Sequence, residues 1–584
     1  MYILIARVLD AWMSRTSAQG SKKAETNATL TKLGKIFMRN PVNIIIGTLL
    51  LLPALTCHAS VVLDGKATTP EMIERIADGE SVIVPREALF RVDQGHGLML
   101  EAAAQGQRIY GLTVGVGLNK DRQMVDAQGQ LTTEVIAASK RFNAALLHAH
   151  SAGVGQDMDT RTARAVLATR LNQILVGASG VRLAVADMYV QLLNKGITPA
   201  MPTEGSVGEA DITILSHVGL TMMGEGDVYY KSEKLPASRA LKEAGIEPIQ
   251  PWGKDALGIL SSNAYSTGMA ALALVDLKQL AHVQKLVYAL SLQGLNGNVS
   301  PFLEDSLALH PYPEVVSAGA QLRTILAGSS LWQRDDDRAL QDPLSYRDAP
   351  YLLGEIDKSY SEDRQLIQLQ LNSSDDNPGV NVGVKPESDL WQARRSYLQG
   401  KDVYGAVLPN ANFEPLPFVL AFERTAIALA HGSLASAERI VKLNDPHFTH
   451  LSRFLGTDHT LHAFGAMEKP PLALAATNKA LAMPVSMDFL PAAGDIEDIA
   501  TNAPEVLRRL RTQIDNSFQL TGIELISAAQ AVQLRQQKDT RFTLSPQTQM
   551  LLDALRKTVP FRDADLPFTP QFQAASTLLK HYEN

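Results

Sequence analysis

Apolar residues recur at helical spacing over several long stretches of the chain. From Met269 to Gln293, the positions Leu272, Val275, Leu280, Val283, Leu286 and Leu290 predict one helix, with Gly294 as its stop. Phe418 to Leu443 and Pro504 to Arg535 read the same way. Asn502 is the candidate N-cap of the last of these, with Pro504 in its first turn. Asp159 to Val176 predicts another helix, capped by Asp159 or Thr160, with Val166, Leu167, Ile174 and Leu175 on one side. A shorter apolar run covers Ile212 to Met223. Runs that suit strands, such as Val82-Ile83-Val84, are few after Ser206. The pattern predicts a mainly α fold: a mixed α/β N-terminal region over 60–265, an elongated helical bundle over 266–535 and a helical tail over 536–584.

The N-terminal residues follow a different pattern. Residues 1–37 show no clear periodicity and are expected to be a non-native extension, with Met38 as the true start. Arg39, the apolar run Ile44 to Leu55, and Cys57-His58-Ala59 then read as a secretory signal over 38–59. An apolar run of about 12 fits a signal core and is short for a membrane span. An uncleaved anchor and a lipid attachment at Cys57 are the alternatives, although Leu55 and Thr56 suit a lipobox poorly. The expected location is periplasmic or otherwise exported, with no membrane partner for the mature chain.

Charge and cysteine content narrow the function classes. The net charge is −7; residues 1–59 carry seven Lys/Arg against two Asp/Glu, so the remainder carries −12. With no basic block, a nucleic-acid partner is excluded. The single cysteine, Cys57, excludes disulfides and cysteine-based metal sites. His148/His150 and His447/His450 are closely spaced but lack carboxylates placed to complete a ligand set, and no metal is expected.

Candidate chemistry lies in the loops between these helices. Pro202 to Asp227 opens on a loop punctuated by Gly205 and Gly208, runs into the short apolar helix, and closes on Gly224-Glu225-Gly226. Tyr110-Gly111-Leu112-Thr113-Val114-Gly115-Val116-Gly117 is a second glycine-rich loop, permissive of positive φ and close backbone approach; a plain turn accounts for it equally. His150-Ser151-Ala152-Gly153-Val154-Gly155 precedes the 159–176 helix, and Gly177-Ala178-Ser179-Gly180 ends it, as a glycine C-cap would. Gln341 to Arg347 ends in a planar guanidinium fork suited to a carboxylate. Three further polar words follow: Asn372 with Asp376-Asn377-Pro378, Asn412-Phe413-Glu414-Pro415, and Asp495-Ile496-Glu497-Asp498.

In this order, over roughly Val61 to Arg535, these words resemble those of the histidine and aromatic amino-acid ammonia-lyases. That family's loop reads Gly-Ser-Val-Gly-Ala-Ser-Gly-Asp, and its Ala-Ser-Gly cyclises into an electrophilic methylidene-imidazolone (MIO) ring. Here Gly205, Ser206, Val207, Gly208, Ser216, His217 and Gly224-Glu225-Gly226 match, but Glu209-Ala210-Asp211 replaces the tripeptide and is one residue shorter. The resemblance implies a catalytic base at Tyr110, a substrate-carboxylate clamp at Arg347, substrate contacts at Asn377 and Asn412, and a site residue at Glu414, where the family has His or Gln. It implies a ring contact at His150; from the residues alone, a structural histidine is the alternative. The family's second tyrosine is Leu344, with Tyr346 two positions on. Its asparagine after Lys-Glu-Gly falls at Ser261 or Asn263, its glutamate in Ser-Glu-Arg at Ser436 or Ala437, and the glutamine of Gln-Glu-Asp is lost. The intact Ala178-Ser179-Gly180 sits among neighbours that match a structural turn of the family.

The family eliminates ammonia from α-amino acids and is homotetrameric, each site drawing on three subunits. One branch, the ergothionases, dispenses with the ring and releases trimethylamine from ergothioneine by acid/base catalysis. The resemblance therefore implies a bundle of the ammonia-lyase type. Together with the signal pattern of residues 38–59, which gives the export, it implies an exported carbon–nitrogen lyase that eliminates an amine from an aromatic or heteroaromatic amino acid or betaine, without MIO or any other cofactor. Glu209, Asp211 and Glu414 are expected to supply negative charge facing a quaternary ammonium; for Asp211, capping the helix from Ile212 is the alternative. An ordinary histidine or aromatic ammonia-lyase and a non-catalytic amino-acid-binding homologue remain the competing expectations.

Overall fold

Six helices frame the site: α1 (Thr160–Ile174), α2 (Ile212–Met222), α3 (Ala264–Leu295), α4 (Ala349–Leu371), α5 (Leu416–Leu443) and α6 (Ala503–Lys538). They belong to a computed structural model that describes residues 60–115, 133–400 and 403–583. The signal-like segment and Val116-Gly117 of the glycine loop lie outside the described residues. α3 is apolar on nearly every side because it is enclosed on nearly every side, packing on α6, α1 and α4. α5 is long and apolar enough to cross a membrane by length and composition. It packs instead against α4, α6 and the helix Lys469–Leu481, as a core helix does.

Where the helices end follows from local chemistry. Asp159 caps α1 by accepting from Thr162 N at 2.8 Å, as its type and position predict. α3 runs past its predicted stop: Gly294 lies inside it, and the helix ends at Asn296, which holds φ +64°. A Cβ on Gly294 would come within 3.0 Å of Ala531 Cβ on α6, so this glycine permits helix contact rather than termination. α1 ends at Leu175 rather than on a glycine; Gly177 and Gly180, at φ +95° and +73°, shape the turn that follows.

Small sheets decorate the bundle. Val61–Val62 and Val82–Ile83 pair in parallel. Val154–Asp157 pairs with Pro202–Glu204 and so fixes the start of the Gly205 loop. Gly379–Val382, Tyr404–Leu408 and Tyr397–Gln399 form an antiparallel sheet with the second strand in the middle. The expected mainly helical bundle with a small mixed N-terminal region is the fold observed.

A buried ionic cluster joins these parts. Arg170 on α1 is fully buried and bonds Asp376 Oδ1 at 2.8 Å and Asp375 Oδ1 at 3.3 Å, and its Nε donates to Gly258 O at 2.9 Å. Lys254 Nζ lies 3.6 Å from Asp376 and donates to Ser179 O at 2.7 Å. Burial raises the Asp375 carboxyl to about 6 against the pull of Arg170. At Asp376 burial also acts upward, but Arg170 and Lys254 outweigh it and hold the group below the usual carboxylate range. Removing one partner of such a cluster strands the others without water. Arg170→Met is expected to lower unfolding stability by about 3–5 kcal/mol in urea titration; a loss below about 1 kcal/mol would show that the cluster is not what joins these segments.

Candidate functional site

The loop that carries the degenerate tripeptide is bent by its glycines. Gly205, at φ +135°, lies against Gly153, and Thr213 Oγ1 donates to its carbonyl at 2.6 Å. Gly208, at φ +89°, packs on residues 501–503; a Cβ there would meet Thr501 Oγ1 at 2.6 Å and Ala503 N at 2.8 Å. Ser206 Oγ donates to Asp211 Oδ1 at 2.6 Å and accepts from Gly208 N at 3.1 Å.

Asp211 is fully buried and occupies the N-cap position of α2, yet its carboxylate makes no capping bond to that helix. It accepts instead from Ser266 N, at 2.9 Å, in the first turn of α3. The capping alternative therefore applies to a different helix from the one expected. Burial pushes the Asp211 carboxyl up to about 6, offset by the donors Ser206 and Ser266.

Asn263 ties this loop to the rest. As N-cap residue of α3 it accepts from Ala210 N at 2.9 Å, donates its Nδ2 to Phe413 O, and places its own N–H 2.7 Å from Asp375 Oδ2. Of the two positions left open by the sequence, Asn263 is the one that reaches the loop. It brings Glu209 and Glu414 together: Glu209 donates a hydrogen bond to Glu414. Glu414 Oε1 accepts from Leu416 N at 2.9 Å, on the first residue of α5. Burial, then Glu414 and its hydrogen bond, then Glu497 and Asp211, push the Glu209 carboxyl up to about 8. Glu209 thus holds its proton at neutral pH.

The other expected residues divide between two places. Asn377 Oδ1 accepts from Asn410 N at 3.0 Å, and Asn410 Oδ1 from Asn412 N at 2.9 Å, so both asparagines shape the loop leading to Glu414; Asn412 itself is exposed. His150 ends the helix Thr133–His150, its Nδ1 donating to Leu146 O at 2.8 Å, and its carbonyl accepts from Ser216 Oγ of α2 at 2.9 Å. Tyr110 is partly buried on a turn in which Gly111, at φ +75°, lies against Leu257 in the short helix Asp255–Leu260, just before Asn263.

Arg347 lies elsewhere. With Asn296, Arg338, Asp342, His447 and His450 it lines a cavity of about 450 Å³ beyond the C-terminus of α3. Its Nε is buried without a partner among the described residues. Tyr346 points into the core, 1% exposed, with its hydroxyl 3.1 Å from Ser291 Oγ, and does not replace the tyrosine lost at Leu344. Ser436 and Arg439 bond the buried Glu524, and Arg439 also holds Ser345 O at 3.1 Å, so this word supports the same wall. Glu209 and Glu414 sit at the start of α3 and Arg347 at its end. A helix of 32 residues spans about 48 Å. One chain does not bring the two groups together.

Glu497 carries a role that the word Asp495–Asp498 did not reveal, since its charge acts on Glu209. The signal in the sequence was the family's Glu-Asp kept at Glu497-Asp498 while the glutamine before it is lost. Among the described residues no group of three His, Cys, Asp or Glu is arranged to hold a metal.

The residues at the tripeptide position do not fit an MIO ring. Glu209-Ala210-Asp211 has no serine to lose its hydroxyl, and Asp211 N is bonded to Ser262 O at 2.8 Å. In Ala178-Ser179-Gly180 all three carbonyls are held: Ala178 O by Val380 N at 2.8 Å, Ser179 O by Lys254 at 2.7 Å and Gly180 O by His96 Nδ1 at 3.1 Å.

Comparison with known proteins agrees with the fold and the family resemblance. The aromatic amino acid lyase family model matches residues 68–557. A histidine ammonia-lyase of Geobacillus sp. (strain WCH70) is 30% identical over 525 residues, 89% of this chain and 96% of the relative. The crystal structure of the ergothioneine-degrading ergothionase from Treponema denticola, in complex with desmethyl-ergothioneine sulfonic acid, is similar at TM-score 0.79 and 33% identity, covering 89% of this chain and 99% of that one. Tyrosine aminomutase from Streptomyces globisporus matches at TM-score 0.78 and 27% identity, over 89% and 97% of the two chains. The chain belongs to the aromatic amino acid lyase family, within the ammonia-lyase superfamily of carbon–nitrogen lyases.

The proton held on Glu209 has a consequence for stability. A carboxyl whose pKa is raised on folding favours the fold while protonated, so its contribution is full below about pH 4.5 and is lost as pH rises through about 8. Glu209→Gln removes this dependence. The variant is expected to match the wild type near pH 5 and to exceed it by about 1–2 kcal/mol at pH 9, the full linkage being reduced by solvent at a partly buried group. Thermal unfolding at the two pH values checks this; a variant less stable at pH 9 would contradict the proton on Glu209.

Proposed function

We propose that this protein is an exported lyase that eliminates an amine, trimethylamine foremost, from an aromatic or heteroaromatic amino-acid betaine, by acid/base catalysis without MIO. The observation that carries the reading is the Glu209–Glu414 pair where the family builds its electrophile. Export rests on the signal pattern of residues 38–59. The similarity to an ergothionase supports the substrate class.

In this reading Tyr110 takes the β-proton, the C–H electron pair becomes the C2=C3 bond, and the C–N pair departs with the amine. A positioned base supplies about 10²–10⁴-fold, short of the 8–23 kcal/mol that enzymes commonly remove. Trimethylammonium closes part of the gap. It leaves as a neutral amine, needs no proton, and relieves crowding at carbon. Glu209, Asp211, Glu414 and Glu497 attract the cation. The proton on Glu209 lowers their summed charge, so that the leaving group is bound without being held against departure.

The carboxylate clamp must then come from another copy. Arg347 lies a helix length from the acid pair, so a complete site needs two chains with their α3 helices opposed. The outer face of α5 supports such an assembly: Leu420, Ile427 and Leu434 repeat every seven residues and are 51%, 44% and 55% exposed in the single chain. A homotetramer, as the family resemblance implies, satisfies both demands.

Incubation with ergothioneine is expected to release trimethylamine and a conjugated acrylate seen by absorbance, and Tyr110→Phe to cut the rate by about 10²–10⁴-fold with folding intact. Equal rates in the two proteins would remove Tyr110 as base. The second reading, an ordinary ammonia-lyase, is favoured by the histidine ammonia-lyase relatives. It requires an intact mass lighter by two waters and ammonia release from histidine, and an unmodified mass would end it. Co-expression of Tyr110→Phe with Arg347→Met is expected to recover part of the activity that each lacks alone, because mixed assemblies contain sites with both residues intact. No recovery would count against a site shared between copies.

A further inference from the structure

One side chain closes the loop that carries Glu497, whose charge acts on Glu209. Residues 486–501 leave the bundle after the helix Lys469–Leu481 and return at the start of α6, an Ω-shaped excursion with its ends together. Asn502 stands at the return. Its Nδ2 donates to Val485 O at 2.9 Å and Asp488 O at 2.6 Å, joining the two feet of the loop. Its own N–H donates to Val207 O at 2.7 Å, two residues before Glu209. Asn502 holds φ +50°, a conformation that asparagine tolerates better than most residues, and makes no capping bond to α6.

Other bonds stiffen the loop between these points. Glu423 of α5 holds the outgoing foot, accepting from Val485 N at 2.8 Å, Ser486 N at 3.0 Å and Ser486 Oγ at 2.9 Å. Ala492 N donates to Glu497 O at 2.9 Å across a tight turn whose residues Ala493, Gly494 and Asp495 all have positive φ. The rest of the loop has little to hold it down: Met487, Leu490 and Ile499 are 82%, 84% and 71% exposed. Within one chain, the place of Glu497 is therefore set by the feet and not by burial of the span.

We infer that Asn502 is a positioning residue of the acid site: it clips the 486–501 loop shut, bonds it to the Val207–Asp211 loop, and so fixes Glu497 opposite the Glu209–Glu414 pair. Three acids face Glu209, on three segments: Glu414 before α5, Asp211 before α2, and Glu497 on this loop. Glu414 and Asp211 are bonded to helix amides, whereas Glu497 depends on the clip. The inference rests on the proton held by Glu209 but not on any substrate.

The test reads Glu209 directly, without turnover. The protonated-carboxyl infrared band that disappears in Glu209→Gln is titrated in the full-length wild type, Asn502→Gly, Glu497→Gln and the double variant. Glycine keeps the left-handed backbone while removing the two side-chain bonds. Asn502→Gly is expected to lower the midpoint by about one pH unit, as Glu497→Gln does by deleting the charge. The double variant is expected to go no further, because both act through one group. A wild-type midpoint in Asn502→Gly, or shifts that add in the double variant, would overturn the inference. Absence of a Glu209 band in the wild type would also overturn it, by removing the proton itself. If Asn502→Gly does not fold, Glu423→Gln loosens the opposite foot and is judged by the same midpoint and the same pairing with Glu497→Gln.

Discussion

Two carboxylates and two cations are buried together where α1, the 375–378 loop and the helix before α3 meet, and the acid site is suspended from them. Taking four charges out of water costs several kcal/mol each, which their mutual attraction repays only if every remaining bond is made. Arg170 meets that condition by bonding Gly258 O as well as both aspartates, and Lys254 by bonding Ser179 O. The spare oxygen of Asp375 then receives Asn263 N and Gln173 Nε2, at 2.7 and 3.0 Å. Through Asn263 the cluster reaches Ala210 and Phe413, the neighbours of Glu209 and Glu414. The acid pair is thereby located by charges two bonds away.

Crowding of acids in one place needs compensation, and the helices provide it. Asp211 bonds a first-turn amide of α3, and Glu414 bonds the first amide of α5. Both acids therefore sit at the positive ends of long helices, where each favourable contact is worth about 0.3–1 kcal/mol, and up to ~2 in buried geometry. Glu209 has no such amide among the bonds described and is the group that keeps the proton. Role follows position: two of the acids are bonded to helix amides, and the one between them, pushed up to about 8, keeps its proton.

Much of this was legible in the sequence, and the exceptions have physical causes. The long core helices announce themselves because burial makes their apolar spacing regular. The helix Arg86–Ala104 does not, since Gly95 and Gly97 interrupt it; a Cβ on Gly95 would collide with the Gly177 carbonyl, so the glycine reflects packing and not a break. Gly294 misled in the opposite direction for the same reason. Asn502 was legible as a residue that begins a helix, but its side chain turns away to two loop carbonyls, a tertiary choice invisible to spacing. The words around Glu209, Glu414 and Arg347 could be found in order along the chain. That they fall at opposite ends of α3 could not, because order along the chain carries no distance.

Losing the tripeptide and gaining the acids are then two parts of one change. An electrophilic ring draws electrons from the substrate amine and suits a neutral or weakly charged partner. A carboxyl pair draws none; it can only attract a charge that the substrate already carries. In the proposed reaction, placing Glu209 and Asp211 at the head of α2 shifts the demand for activation from the protein to the substrate. In the reaction proposed above, the site selects for molecules whose nitrogen is permanently cationic over those that depend on the enzyme to make them so. With the division of labour proposed above, the task left to the scaffold is geometric: hold the proton of Glu209 beside Glu414, and bring a guanidinium from a helix length away.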